Sequence, residues 1–142
     1  VNGAESNSDK GAGVVALTMI DMKSKKKTDR LALCGVNGTK YPGIRQHMHN
    51  AIGKYDGLDR YIDDIDTFPE DTVVDPKAYE SAIASFDAGD AAIIFTPDDT
   101  HFDIALACIR RGMHVCVTKP AVKTLREHQI LCEEAVKHNV LC

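Results

Sequence analysis

Short apolar runs and amphipathic stretches take turns along this chain. "LALCGV" (31–36) is apolar throughout and is stopped by Asn37-Gly38, so it predicts a buried strand. "AAIIF" (91–95) predicts a central strand and "HVCV" (114–117) another, while "VLC" (140–142) has the look of a further strand beginning. Between them lie helical patterns. "VVALTMIDMKSK" (14–25) puts Val15, Met19 and Met22 on one stripe, and the basic run "KSKKK" (23–27) suits a solvated helix C-terminus. "PGIRQHMHNAIG" (42–53) has Pro42 near its start and Gly53 near its end. "PKAYESAIASFDAG" (76–89) places Tyr79, Ile83 and Phe86 on one face. "THFDIALACIRRG" (100–112) and "TLREHQILCEEAVKHN" (124–139) each open with capping-box spacing, Thr100 with Asp103 and Thr124 with Glu127. "LDRYIDDIDTFP" (58–69) predicts only a weak strand through Tyr61, Ile62, Ile65 and Phe68.

Apolar strands alternating with amphipathic helices predict an α/β fold: a doubly wound, Rossmann-type parallel sheet with helices on both faces. The chain opens on a helix rather than a strand with a glycine-rich turn, so the first strand of such a sheet is expected to be missing. The polar segment 1–13 is expected to be flexible.

Composition narrows the function. With 142 residues, 44% hydrophobic and 27% charged, the chain suits one soluble domain with a real core. A formal net charge of −4 argues against nucleic acid as the partner. No apolar run approaches the roughly 20 residues that span a bilayer, and no signal peptide is visible, so a cytoplasmic protein without a membrane partner is expected. The five cysteines lack a C-x-x-C and read as buried reduced thiols. His47 and His49, two apart, do not share a helix face, so no metal site is expected.

In doubly wound sheets ligands bind beyond the carboxyl ends of the strands. That directs attention to Asn37, Gly38, Thr39 and Lys40, to Thr96, Pro97 and His101, and to Thr118, Lys119 and Pro120. "GVNGTKYPG" (35–43) does not match G-x-G-x-x-G. As a second strand it would end at the adenosine ribose, where an acid favours NAD. No acid stands here. Lys40 and Arg45 could pair with a 2′-phosphate and Thr39 could hydrogen-bond it, against the plainer reading of a polar turn. His101 could likewise be a site residue or a structural histidine of its turn. Lys119 could be a surface residue or a cation aimed into a site.

Taken together, Thr96-Pro97…His101, Gly112-Met113-His114-Val115 and Thr118-Lys119-Pro120, in this order and spacing, resemble the glucose–fructose oxidoreductase and inositol dehydrogenase superfamily. "GVNGTK" (35–40), "YDGLD" (55–59), "FTPDDTH" (95–101) and T-K-P in place of the usual E-K-P are similar to its D-galacturonate reductase branch. The resemblance implies an NAD(P)-dependent oxidoreductase of sugars or sugar acids, with NADP the expected cofactor and NAD the alternative. It implies that Lys119 is the catalytic lysine at the nicotinamide end, with Thr118 and Pro120 shaping its turn and the Lys119–Pro120 bond a candidate for cis. Thr96, Pro97 and His101 would line the cofactor crevice, and Asn37, Thr39 and Lys40 would meet the adenosine end.

The family's catalytic histidine lies in a later substrate domain, which this sequence lacks. The 142 residues alone are therefore expected to be a partial nucleotide-binding domain without turnover. Thr118 in place of the acid also leaves open a protein that binds NAD(P) without chemistry. An uncovered sheet edge or domain-facing surface would favour self-association, which leaves a homo-oligomer open.

Overall fold

The computed structural model describes residues 13–142; the stretch 1–12, most of the segment expected to be flexible, lies outside them. The chain forms two compact units that divide between Ala78 and Tyr79, each with its own apolar cluster.

The first unit holds α1 (Val14–Ser24), β1 (Ala32–Cys34), α2 (Tyr41–Ile52) and β2 (Asp66–Phe68). β1 and β2 pair in parallel, Ala32 opposite Asp66 and Cys34 opposite Phe68. The ambiguous stretch 58–69 divides into a 3-10 turn, Asp59–Tyr61, and β2. Ile20, Ile52 and Ile62 lie fully buried in the core with Met48, Leu58 and Ile65. The face of α1 differs from the expected one. Ile20 is enclosed, Ala16, Leu17 and Met19 pack beside it, and Val15 is exposed. Apolar residues surround this helix almost evenly, so periodicity could not choose its buried side. Lys25, Lys26 and Lys27 of the basic helix end are solvated as expected, with Lys25 paired to Asp21, but Lys23 differs: its side chain is only 10% exposed and is paired to Asp64.

The second unit holds α3 (Ala78–Ala84), which starts at the division, then β3 (Ala91–Ile94), α4 (His101–Arg110), β4 (His114–Val117) and α5 (Leu125–His138). β3 and β4 also pair in parallel, Ala91 opposite His114 and Ile94 opposite Val117. Ile94 and Val115 pack against Ala105, Cys108 and Ile109 of α4 and Leu131 and Ala135 of α5. Ile93 and Phe95, pointing the other way, are 39% and 58% exposed. Within this unit α4 and α5 cover the Ile94 and Val115 face.

Gly112, at φ 83°, ends α4 with Ala88 directly over it; a Cβ there would sit 3.0 Å from the alanine methyl. Residues 140–142 do not form the expected strand. They run beside β4 through one backbone bond, Val115 N–H to Leu141 O at 2.8 Å. The five cysteines are in no disulfide, and Cys108 alone is buried; Cys34, Cys116, Cys132 and Cys142 are exposed, unlike the expected enclosed thiols.

One capping box forms and one does not. Thr124 Oγ1 accepts from the Glu127 N–H at 3.2 Å, and Glu127 Oε2 accepts from the Thr124 N–H at 3.0 Å. Thr100 makes no cap, because a 3-10 turn, Asp98–Thr100, precedes α4 and already holds Thr100 in helical conformation. An N-cap needs an extended backbone. The Thr100 hydroxyl instead sits 2.7 Å from both Pro97 O and Thr96 Oγ1.

Candidate functional site

The turn after β1 is built by Asn37. Its Oδ1 accepts from the Thr39 N–H at 3.0 Å and from the Thr39 hydroxyl at 2.7 Å, which curls Gly38–Lys40 into a 3-10 turn leading straight into α2. Tyr41, the first residue of α2, is buried. Its hydroxyl donates to Phe68 O at 2.5 Å, so α2 is tied across the end of β2. Burial, with the neighbouring Cys34, pushes this phenol up to about 12, so it stays a donor at every ordinary pH.

A strap, residues 70–75, lies against the same turn. The Gly38 N–H donates to Val73 O at 2.9 Å and the Asp75 N–H to Val36 O at 2.8 Å. A Cβ on Gly38 would come within 1.9 Å of Glu70 O, so only glycine admits the strap. This corrects two expectations. Gly38 is buried with its N–H committed, so it offers no backbone group to a ligand. The turn is also not free of acids, because the strap brings Asp71 to Arg45.

Arg45 Nη1 lies 2.6 Å from Asp71 Oδ2, Nη2 lies 2.9 Å from Oδ1, and Nη2 donates to Thr67 Oγ1 at 3.2 Å. This two-pronged pair raises the guanidinium above its usual range and holds the Asp71 carboxyl below its own. Arg45, expected to be an open phosphate ligand, is already matched. Lys40 is exposed, and among the described residues no acid holds its ammonium. What the turn offers outward is therefore the Lys40 charge, the Thr39 hydroxyl oxygen and the Asn37 amide N–H groups.

In the second unit, the Thr118 N–H closes the β3–β4 ladder on Ile94 O at 2.9 Å and sends Lys119 and Pro120 beyond the strand ends. His101, 1% exposed, stands between the two post-strand segments. Its Nε2 lies 2.8 Å from Thr96 O and its Nδ1 2.9 Å from Pro120 O. Both ring nitrogens face carbonyls, so His101 is a fastener of the Thr96 and Pro120 turns and not a crevice-lining group. The Lys119–Pro120 peptide is cis. Thr96, Pro97, Thr118 and Lys119 are all exposed beside this fastener. Lys123, four residues on, pairs with Asp99, whereas no acid holds Lys119 among the described residues. The structure thus brings Thr96, Pro97, Thr118, Lys119 and Pro120 together in one unit, and Asn37, Thr39, Lys40 and Arg45 in the other.

Asp71 and Tyr41 escaped sequence reasoning. An aromatic residue opening a helix beside a strand end was a faint signal for Tyr41. Nothing local pointed from Asp71 to Arg45, 26 residues earlier.

His49 is held between two carboxylates, Nδ1 to Asp59 at 2.8 Å and Nε2 to Asp63 at 3.0 Å. Among the described residues no group of His, Cys, Asp and Glu is placed to hold a metal ion, and no helix is long and apolar enough to cross a membrane.

Residues 30–142 match the family described as "Oxidoreductase family, NAD-binding Rossmann fold" (GFO_IDH_MocA). The fold is similar to a solved structure described as "putative oxidoreductase yvaA from Bacillus subtilis", with a TM-score of 0.51 and 21% identity. That match covers 80% of this chain and 33% of the other, so the chain spans about a third of the length of that structure.

Proposed function

The chain belongs to the oxidoreductase family with the NAD-binding Rossmann fold, and from that premise we propose that it is the nucleotide-binding part of an NADP-dependent oxidoreductase of sugars or sugar acids, of the D-galacturonate reductase kind. The observation that carries this reading is Lys119. It is an uncommitted ammonium just past a strand end, on a turn fastened by a buried histidine. A structural surface lysine has no need of such a mount.

Each unit, taken by itself, offers groups of the kind a dinucleotide needs. In the first, Lys40 and Thr39 suit a 2′-phosphate at an adenosine end; in the second, Lys119 suits a nicotinamide end. Bound NAD(P) supplies the hydride chemistry. Lys119 holds its charge beside the reacting oxygen of the substrate and stabilises negative charge as it develops there. His101 keeps the Lys119 turn in place without touching the substrate. Thr118, an uncharged residue before the lysine, leaves that ammonium without an adjacent carboxylate to compete for it.

The test is Lys119→Ala in the full-length protein, assayed with NADPH against a panel of uronates and aldoses. Turnover should fall by about 10²-fold or more, the scale of losing one charge-stabilising group, while NADPH binding changes little. Near-normal turnover on a substrate used by the wild type would sink the assignment.

A further inference from the structure

The strap 70–75 is fixed rather than draped. It is held by the Gly38 N–H on Val73 O and the Asp75 N–H on Val36 O, with Glu70 O filling the space where a Gly38 side chain would stand. That anchoring presents both oxygens of Asp71 to Arg45, while Thr67 at β2 takes a remaining guanidinium N–H. Arg45 lies in the second turn of α2, a helical turn along from Lys40. The pair is partly open to solvent, Arg45 at 26% and Asp71 at 38% of the side chain, so a ligand at the turn can reach it.

We propose that Asp71 is a specificity-determining residue, which withholds Arg45 from a 2′-phosphate and so limits the preference for NADP over NAD. The inference rests on the reading that this turn meets the adenosine ribose. A 2′-phosphate at Arg45 meets a guanidinium already bound by the Asp71 carboxylate. It must share the guanidinium with a like charge or displace a bidentate partner. A 2′-hydroxyl carries no charge and meets neither difficulty. Lys40, without an acidic partner among the described residues, then carries whatever preference for the phosphate the turn has.

The experiment measures NADPH and NADH dissociation constants for full-length wild type, Asp71→Asn, Asp71→Asn with Arg45→Ala, and Lys40→Ala. Asp71→Asn keeps the shape of the side chain and removes its charge. It should tighten NADPH by about tenfold, the scale of one charged hydrogen bond gained, and change NADH by less than about twofold. Adding Arg45→Ala should return the ratio to the wild-type value. An unchanged ratio in Asp71→Asn, or a gain that survives loss of Arg45, overturns the role of Asp71. If Asp71→Asn does not fold, Asp71→Ser is read in its place by the same criteria. A Lys40→Ala protein that binds both dinucleotides like the wild type fails in a different way. It removes the turn from the adenosine end and takes this inference with it.

Discussion

Replacing His101 by alanine tests whether the Lys119 turn is held as described. The ring is 1% exposed and spans Thr96 O at 2.8 Å and Pro120 O at 2.9 Å. A net hydrogen bond contributes about 1 kcal/mol. Removing the ring also leaves a cavity. Truncating a buried Phe costs about 3–5 kcal/mol, and imidazole is smaller and more polar, so its share lies well below that. Thr96 and Pro120 are themselves exposed, so water can reach the freed carbonyls. We therefore expect His101→Ala to destabilise the protein by about 2–3 kcal/mol. The chain has no Trp, so urea unfolding is followed by circular dichroism. Hydrogen exchange should quicken at Thr100 and Thr118, whose N–H groups bond Pro97 O and Ile94 O, and stay unchanged through the middle of α5. A loss under about 0.5 kcal/mol, the level of an ordinary surface substitution, would refute the fastener, as would faster exchange spread evenly over the unit.

Two further outcomes follow from local geometry. Thr124→Ala removes the acceptor for the Glu127 N–H and should cost about 1 kcal/mol in the same urea experiment, while Thr100→Ala, which removes no cap, should cost clearly less. Asp59 and Asp63 raise the His49 pKa above its ordinary 6.5, so the stability this residue adds is fully present below pH 6.5 and is lost as pH rises through its raised value; the gap in stability between wild type and His49→Gln should be larger at about pH 5.5 than at about pH 9, and an equal gap at both would show that the two carboxylates do not bind the ring.

Features set by near neighbours along the chain are legible in the amino-acid sequence. The Thr124–Glu127 box, the span of α2 between Pro42 and Gly53 and the stop at Gly112 all depend on residues within a few positions of each other. Thr100 shows where such logic ends. Its spacing to Asp103 is right, but the turn that starts at Pro97 already makes its backbone helical. The buried side of α1 is illegible for the opposite reason, since too many of its sides are apolar to be told apart. His101 meets Pro120 across 19 residues and Arg45 meets Asp71 across 26, and no short-range pattern reports either meeting.

Those long-range meetings decide the chemistry more than the identities of the residues do. Lys119 and Lys123 are the same residue type four positions apart in one turn region, yet Asp99 takes Lys123 and leaves Lys119. Lys40 and Arg45 are five positions apart on one turn and helix, yet Asp71 takes Arg45 and leaves Lys40. Lack of an acid is not by itself distinctive, since among the described residues Lys26, Lys27, Lys54 and Arg126 have no salt bridge either. Lys40 and Lys119 differ from those in standing just past the carboxyl end of a parallel strand, where doubly wound sheets bind ligands. By this argument the adenosine-end reading loses Arg45 and keeps Lys40, and the nicotinamide-end reading keeps Lys119. A dinucleotide phosphate or a developing oxyanion would supply the negative partner that the fold does not.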